Sequence, residues 1–174
     1  NLPGDVFAVP YGEFEPATSL VLDDRHRGVV GYVVAAVDTA GFEARCEADW
    51  WPNLRKRHPV GSGTRPLDEL FISHVHDPPT AAPDLLARYP SHLHVNVLAE
   101  MQGGGRGRVM IESICELLAS RGSPGVHLGV DTSNHPAQQF YERVGFDRLE
   151  SSTDGVLFGR SLAAGGCEPT RGSR

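Results

Sequence analysis

The alternation of apolar and polar residues marks the strands of this chain. Residues 18–22 and 29–37 are apolar and β-branched and are joined by a polar turn, a pattern that predicts a β-hairpin. Residues 92–98 place histidine and asparagine on one face and leucine and valine on the other, as a half-buried strand does. Shorter apolar runs predict further strands at 70–75, 126–130 and 156–160.

A helical period of apolar residues appears in several segments between these strands. In 42–57 apolar residues recur at every fourth position, and Pro52 breaks or restarts the helix. Residues 108–121 carry one apolar stripe and end before Gly122, a residue typical of helix C-termini. Shorter helical segments are predicted at 84–89 and 137–144, and the prolines of 77–83 predict a loop.

These elements form one folded domain. A chain of 174 residues, 40% of them hydrophobic, is long enough for a single core. A hairpin followed by alternating strands and helices predicts an α/β (α+β) fold with a mixed sheet. Residues 1–17 are rich in Pro and Gly and predict an irregular N-terminal arm. Residues 163–174 predict a disordered tail, which leaves 18–162 as the domain.

Composition indicates which classes of partner and which cellular location to expect. The chain has no apolar run of about 18 residues, and its first residues lack the pattern of a signal peptide, so we expect no membrane partner. A formal net charge of -6 argues against a nucleic-acid partner. Three widely spaced cysteines, Cys46, Cys115 and Cys167, fit neither a disulfide scaffold nor a zinc knuckle, and they favour a cytoplasmic location.

The glycine-rich turn 102–107 is the strongest chemical signal. Four glycines in six residues, directly before a helix, allow the backbone to wrap around a phosphate group. The Walker pattern fails because no Lys-Ser or Lys-Thr follows. The dinucleotide pattern fails at its third glycine, although Asp131 stands where a ribose-binding acid is expected. The dinucleotide interpretation is thus weakened rather than excluded, and a flexible turn without a ligand is a further alternative.

Two motifs in register resemble the signatures of the GNAT family of N-acetyltransferases. The pattern Q-x-x-G-x-G in 102–107 resembles the acetyl-CoA pyrophosphate loop, and 134–146 resembles the second signature, N-x-x-A-x-x-x-Y-x-x-x-G-F. The resemblance covers roughly 18–162. Two shorter segments, 89–98 and 156–162, resemble bacterial acetyltransferases related to the C-terminal acetyltransferase-like domain of eukaryotic O-GlcNAcase.

The resemblance implies a cofactor and the residues that hold it. In the family, helices flank a mixed sheet that opens into a cleft where strand four splays from strand five, and acetyl-CoA lies in this cleft. Its pantetheine arm is expected on the backbone of Val97, Leu98 and Ala99. Its pyrophosphate is expected on Gln102, Gly103, Gly104, Gly105, Arg106 and Gly107. Asn134 and Tyr141 are also expected to contact the cofactor, with a helix N-cap as the alternative role of Asn134.

The resemblance also implies catalytic groups. Tyr141 matches the tyrosine that protonates the departing thiolate, with packing of its helix as the alternative role. The motifs do not fix a general base, because Gly129 stands where many members carry glutamate. His94 and His92 are candidate bases, or simply polar positions on a half-buried strand. Further candidates near the cleft are Asp131, His135 and Glu100.

The implied function is acetyl transfer from acetyl-CoA to an amine, by direct attack in a ternary complex with Tyr141 as general acid. The amine belongs to a small molecule, a lysine side chain or a protein N-terminus. A module that binds acetyl-CoA with little or no transfer is the alternative, favoured by the glycine at position 129. The family also allows a homodimer paired through the sheet.

Three other features leave alternatives open. The pairs His74-x-His76 and His92-x-His94 suit a metal if each lies on a strand, but no metallohydrolase pattern completes them and no metal is expected. The tryptophans at 50–51 fit either the core or a lid. Acidic residues form either a cleft for a basic amine or a solvated face; they are Glu43, Glu47, Asp49, Asp68 and Glu69.

Overall fold

Helices flank a six-stranded sheet in the computed structural model, which describes residues 2–153 and 155–162. The helices are α1 (Leu2–Phe7), α2 (Val9–Phe14), α3 (Thr39–Arg45), α4 (Trp51–Arg57), α5 (Pro66–His76), α6 (Pro83–Arg88), α7 (Arg106–Ser120) and α8 (His135–Arg143). The strands are β1 (Ser19–Asp24), β2 (Gly28–Ala36), β3 (Ser91–Val97), β4 (Gly125–Val130), β5 (Asp147–Ser151) and β6 (Val156–Ser161). Turns of 3₁₀ helix lie at Pro16–Thr18 and Ala99–Met101, and a π-helical turn at Cys46–Trp50. The predicted tail, 163–174, lies outside the described residues.

The sheet is mixed, as predicted. Its strand order is β1-β2-β3-β4-β6-β5, and every neighbouring pair is antiparallel except β3 and β4. The predicted hairpin is β1–β2, which pairs from Ser19↔Val34 to Asp24↔Gly28. The sequence pattern does not predict β5, because β5 is a mostly exposed edge strand without an apolar run.

The two parallel strands separate soon after they meet. The pairing of β3 with β4 comprises two residue pairs among the described residues and ends at His92↔His127. By contrast, β3 stays paired with β2 as far as Val97, and β4 stays paired with β6 as far as Val130. Each strand thus keeps its antiparallel neighbour and loses its parallel one. The result is a cleft inside the sheet, between the two strands that the family resemblance implies.

Two apolar cores cover the two faces of the sheet. The first core joins α7 and α8 to the face that carries Leu93 and Leu128. The second core joins the helices from α1 to α5 to the face that carries Val34 and Ala36. Because side chains alternate along a strand, the histidines of β3 lie on the face of the second core. No described helix is long and apolar enough to cross a membrane.

The N-terminal segment is helical and packed, so the prediction of an irregular arm for 1–17 is wrong over the described residues. Val6 of α1 and Tyr11 of α2 are only 4% and 3% exposed, and both belong to the second core. The Trp50 indole N–H donates to the carbonyl oxygen of Asp5 over 2.8 Å. Pro and Gly lower the local helix propensity, but packing against the sheet outweighs that preference.

Residues 70–75 belong to a helix, so the prediction of a strand there is wrong. The helix is α5, which begins after Arg65. The Asp68 carboxylate closes its first turn by accepting the Arg65 backbone N–H over 3.1 Å. A short apolar run fits either a strand or a helix, and here the buried residues Ile72 and Val75 recur at helical spacing.

The predicted helix 42–57 is present with its predicted break. α3 passes through the π-helical turn into α4, where Pro52 occupies the first turn. Proline fits there because a first turn does not use its missing N–H. Trp51 is buried in the second core and Trp50 packs partly against it, so neither tryptophan forms a separate lid.

Gly125 provides a test of the packing where β3 and β4 begin. A Cβ at this position would collide with the carbonyl oxygen of Arg88 and lie 2.8 Å from the Tyr89 ring. We expect Gly125→Ala to lower the free energy of unfolding by about 1–3 kcal/mol, the usual cost of overpacking. Gly12→Ala, in α2 with open space around it, should be neutral or stabilising by up to about 1 kcal/mol. Urea denaturation measures both, and equal unfolding free energies would contradict this packing.

Candidate functional site

A cavity of about 1630 Å³ opens between β3 and β4. The two separating strands form its floor. α3 and the start of α4 form one wall, and the proline-rich loop before α6, together with β5 and β6, forms another. Much of the lining is apolar, and its aromatic members are Phe7, Phe42, Trp51 and Tyr89. The cavity is large enough for a small-molecule ligand.

Polar side chains of both strands face this cavity. Residues alternate in direction along a strand, so β3 presents His92 and His94 on one face. On the same face, β4 presents His127, Gly129 and, just beyond its end, Asp131. Of these, His94 and Asp131 are predicted catalytic residues. His127 is a residue that the sequence reasoning missed, although the alternation along β4 carries the signal.

His92 is hydrogen-bonded at both ring nitrogens. The Tyr11 hydroxyl lies 2.5 Å from Nε2, and the Thr39 hydroxyl lies 2.8 Å from Nδ1. Burial lowers the pKa of His92 well below its ordinary value of 6.5 and raises the pKa of Tyr11. The neutral ring carries one proton, so one of its nitrogens donates and the other accepts in these two hydrogen bonds. His92 thus ties the N-terminal helices to the cavity floor.

His94 keeps its ring nitrogens accessible. No described residue donates to them or accepts from them, and they are not sealed from solvent. The rings of Phe7 and Tyr11 lie 5.5 and 5.4 Å from the imidazole, centroid to centroid. Burial, with smaller effects of His74 and His127, lowers the pKa of His94 to about 4. The imidazole is therefore neutral at physiological pH, and it is a weak proton acceptor.

His127 is oriented by the backbone. Its Nδ1 lies 2.8 Å from the carbonyl oxygen of Tyr89, so Nδ1 carries the proton and donates it to this bond. Burial lowers the pKa of His127, while hydrogen bonds to the backbone of Tyr89 and Ser91 oppose that shift. Its ring stands 5.8 Å from the ring of His92, at the closed end of the cleft. This histidine therefore joins β4 to the segment that leads into β3.

The residues at the open end of β4 provide no strong proton acceptor. Gly129 has no side chain, and a Cβ built there meets no atom within 4 Å. The Asp131 carboxylate accepts hydrogen bonds from the Ser133 N–H over 2.7 Å and from the Ser133 hydroxyl over 2.6 Å. These bonds lower the pKa of Asp131 and make it a poorer proton acceptor. Glu100 and His135 are exposed and do not line the cavity.

Tyr141 lies on the other face of the sheet from His94. It belongs to α8, is 9% exposed, and packs in the first core with its ring 5.6 Å from Phe146 and 6.0 Å from Phe158. Burial raises the pKa of Tyr141 to about 12, so the phenol is protonated at neutral pH. Tyr141 does not line the cavity that His94 faces. Packing and proton donation are both compatible with this placement.

The glycine-rich turn has a conformation that suits an anion. Gly103, Gly104 and Gly105 have φ angles of 89°, 59° and 79°, a region that glycine adopts at little cost. Gly107 packs closely, because a Cβ there would lie 3.1 Å from the Phe140 ring. Several backbone N–H groups donate to no carbonyl of the described residues, namely those of Gly103, Gly104, Gly105, Gly107 and Arg108. Such N–H groups at a helix N-terminus attract phosphate.

The segment between β3 and this turn carries the predicted pantetheine contacts. Val97 ends β3, and the Leu98 N–H donates to the carbonyl oxygen of Val30 over 3.0 Å. Ala99 begins a 3₁₀ turn. The Gln102 side-chain amide donates to the carbonyl oxygen of Val97 over 3.3 Å. Leu98, Ala99 and Gln102 are exposed, and the segment leads directly into the glycine-rich turn.

Three polar residues at the starts of α7 and α8 make different contacts with the rest of the protein. Arg106 begins α7 and makes no ion pair with a described residue, whereas Arg108 pairs with Glu112 over 2.7 Å. Asn134 is the N-cap of α8, since its side-chain oxygen accepts the Ala137 N–H over 3.2 Å. The N-cap role predicted as an alternative for Asn134 is therefore confirmed.

The histidine pairs do not form a metal site in the described part of the chain. No three of its His, Cys, Asp and Glu side chains are arranged to hold a metal ion. The strand premise is wrong for His74 and His76, because both lie in α5, where residues two apart point in different directions. His92 and His94 do share a strand face, but Tyr11 and Thr39 already engage the ring of His92.

Comparison with known proteins identifies similar chains. The model of the acetyltransferase (GNAT) family matches residues 71–146, which include β3, the glycine-rich turn, α7, β4 and α8. The crystal structure of SsHAT aligns with a TM-score of 0.84 at 36% sequence identity, and the match covers 94% of this chain and 81% of that one. The similarity therefore extends over both cores and the cleft.

Two curated relatives are similar to this chain over only a small part of their own length. Protein O-GlcNAcase of Rattus norvegicus is 24% identical over 149 residues, which are 82% of this chain and 16% of that protein. Mycothiol acetyltransferase of Thermobifida fusca (strain YX) is 42% identical over 66 residues, which are 38% of this chain and 20% of that protein. The chain thus spans no more than about a fifth of these relatives.

Acid should destabilise the fold through its buried histidines. Burial lowers the pKa of His94 from 6.5 to about 4, so the unfolded chain takes up this proton first as the pH falls. Stability is therefore lost between about pH 6.5 and about pH 4. We expect His94→Gln to reduce this loss and His26→Gln, in the exposed hairpin turn, to leave it unchanged. Urea unfolding at several pH values in this range measures the loss of stability. If His94→Gln loses as much stability as the unmodified protein, the His94 ring is not held neutral in the folded state.

Proposed function

Because this chain belongs to the GNAT family of acetyltransferases, we propose that it transfers the acetyl group of acetyl-CoA to an amine bound between β3 and β4. The observation that carries the proposal is the early separation of these two strands, with unpaired N–H groups just beyond β3 and a neutral histidine on the cavity floor. The cleft thus offers space for an acyl group and a proton acceptor, and the turn that follows β3 offers an anion site.

The residues of the glycine-rich turn fit a pyrophosphate group. Three of its glycines have positive φ angles, and several of its N–H groups are unpaired at the start of a 15-residue helix, where the helix dipole also favours an anion. Arg106 adds a positive charge that no described carboxylate neutralises. The proposed pyrophosphate contacts are Gln102, Gly103, Gly104, Gly105, Arg106 and Gly107. The proposed contacts of the rest of the cofactor are Val97, Leu98, Ala99, Asn134 and Tyr141.

Tyr141 is the proposed general acid. Bound acetyl-CoA supplies an activated acetyl thioester, whose thiolate needs a proton as it leaves. Burial holds the pKa of Tyr141 at about 12, so its Oη carries a proton at neutral pH. After donating this proton to the sulfur, the phenolate recovers one from solvent, because its pKa lies far above neutrality.

His94 is the proposed general base. It faces the cavity with accessible ring nitrogens, and its pKa of about 4 leaves it without a proton at neutral pH. A weak base suffices for a late proton transfer, because the amine nitrogen becomes strongly acidic once it bonds to the acyl carbon. Asp131 is the second candidate, and it is less suited because Ser133 already engages its carboxylate.

A module that binds acetyl-CoA with little or no transfer is the second candidate function. The observation that favours it is Gly129, which leaves open space where many family members carry a carboxylate. Both candidates need the same cofactor site, so turnover distinguishes them. For either, we propose a cytoplasmic location, supported by the free thiols of Cys46 and Cys115.

The cofactor site can be tested at Gly105. Its φ of 79° becomes strained with a side chain, although a Cβ there meets no other atom within 4 Å. We expect Gly105→Ala to weaken acetyl-CoA binding by about tenfold or more, because the strain of roughly 1–2 kcal/mol shifts the turn away from its binding conformation. Gly61→Ala is the matched control, since Gly61 has a φ of 81° and open space in a distant loop. Calorimetry that finds equal affinities would contradict the assignment.

Turnover tests the two catalytic assignments. We expect Tyr141→Phe to lower kcat by roughly 100-fold or more with little change in acetyl-CoA affinity, as loss of a general acid does. His94→Gln should lower kcat/KM by roughly 10- to 100-fold, and adding Gly129→Glu should restore part of it. Tyr32→Phe, a tyrosine outside the cavity, is the control. The measurement is release of free CoA over a panel of amines.

The outcomes of this assay separate the two candidate functions. Full turnover in Tyr141→Phe would contradict its role as general acid. Acetyl-CoA binding without turnover by the unmodified protein, over a broad panel of amines and peptides, would favour the binding module. Absence of acetyl-CoA binding would contradict both candidates.

A further inference from the structure

Glu43 is a half-buried carboxylate on the wall of the cavity. It lies in α3, and one of its oxygens accepts the Ala81 backbone N–H over 3.1 Å. No cation of the described residues pairs with it. Its neighbour Glu47 differs, because Arg55 holds that carboxylate by two hydrogen bonds of 2.6 and 2.8 Å. Burial raises the pKa of Glu43, and no described cation offsets this effect, so a bound cation would stabilise the charged carboxylate.

The rest of the cavity does not supply a compensating positive charge. Among the described residues, Arg88 is the one Lys or Arg on its lining. Its guanidinium is stacked 5.2 Å above the Tyr89 ring and donates to the Tyr89 hydroxyl over 3.2 Å. The other charged lining residues are carboxylates, namely Glu47, Asp84, Asp131 and Glu150. Prolines, alanines and leucines of the loop before α6 and of α6 itself form much of the wall near Glu43. A ligand with an apolar body and a positive charge matches this lining.

The positive charge must belong to a group other than the amine that reacts. An amine attacks an acyl carbon only in its neutral form, and the proposed base, His94, takes a proton from the nitrogen only after the bond to the acyl carbon has formed. Both positions line the same cavity, Glu43 on the α3 wall and His94 on the floor formed by β3. A cation held by Glu43 and a neutral amine beside His94 can therefore belong to one acceptor that lies in this cavity.

We propose that the acceptor carries a second cationic group, joined to the reacting amine by an apolar stem, and that the Glu43 carboxylate binds this group. The proposal rests on the acetyltransferase function proposed above. It assigns the acceptor to diamines and similar dications, and it makes Glu43 a residue that determines specificity. The hydrogen bond to Ala81 is a separate, structural role of the same side chain.

The test compares 1,5-diaminopentane with n-pentylamine, two acceptors that differ by one ammonium group. In the unmodified protein we expect kcat/KM to favour the diamine by about tenfold or more, as a charge-assisted hydrogen bond provides. Glu43→Gln keeps an oxygen for the Ala81 N–H but loses the charge. We expect it to reduce the preference to the statistical advantage of a molecule with two amines. Asp49→Asn is the charge-matched control, because Asp49 is exposed and outside the cavity.

Binding measured without turnover separates this proposal from the proposed function. Calorimetric titration of both amines onto the protein with CoA bound should show the same preference and the same loss in Glu43→Gln. If the diamine preference is seen in binding while no amine is acetylated, the transferase proposal fails and the assignment of Glu43 stands. An equal preference in Glu43→Gln, an equal loss in Asp49→Asn, or no preference in the unmodified protein would overturn the assignment of Glu43.

Discussion

The hydrogen bonding between β3 and β4 stops after two residue pairs, and the candidate site depends on that opening. Buried polar groups hold its closed end together. The Ser91 hydroxyl lies 2.6 Å from the Val37 carbonyl oxygen and 2.7 Å from the Ser123 hydroxyl, and His127 donates to the carbonyl oxygen of Tyr89. Separating such buried partners is costly. The closed end is therefore fixed, while the strands beyond it are free to border a ligand.

The opening also separates two environments that act on two side chains in opposite ways. Burial among aromatic rings raises the pKa of Tyr141 on one face and lowers the pKa of His94 on the other. The same desolvation thus keeps the phenol protonated and the imidazole unprotonated. The proposed proton donor and the proposed proton acceptor thus lie on opposite faces of the sheet, and neither has a charged partner among the described residues. In other enzymes, a catalytic acid and a catalytic base are often recognised because their environments shift their pKa values in opposite directions.

The parts of the site that rest on local signals were predictable from the sequence. Alternation along 92–98 predicts β3, and the glycines of 102–107 require a special backbone turn before the apolar stripe of α7. The long-range contacts around the cavity could not be predicted in this way. Tyr11 reaches His92 across 81 residues, and no local pattern encodes such a contact. The N-terminal helices and α5 were mispredicted for the same reason, because tertiary packing decided their conformation against weak or ambiguous local preferences.

The central claim is that the opening between β3 and β4 and the turn that follows it receive acetyl-CoA. Hydrogen–deuterium exchange of the backbone amides, with and without acetyl-CoA, tests this most directly. The account predicts slower exchange on binding at 97–108, because ligand oxygens would occupy N–H groups that the described protein leaves unpaired. Protection confined to other parts of the chain, with the amides of 97–108 unchanged at saturating acetyl-CoA, would contradict it.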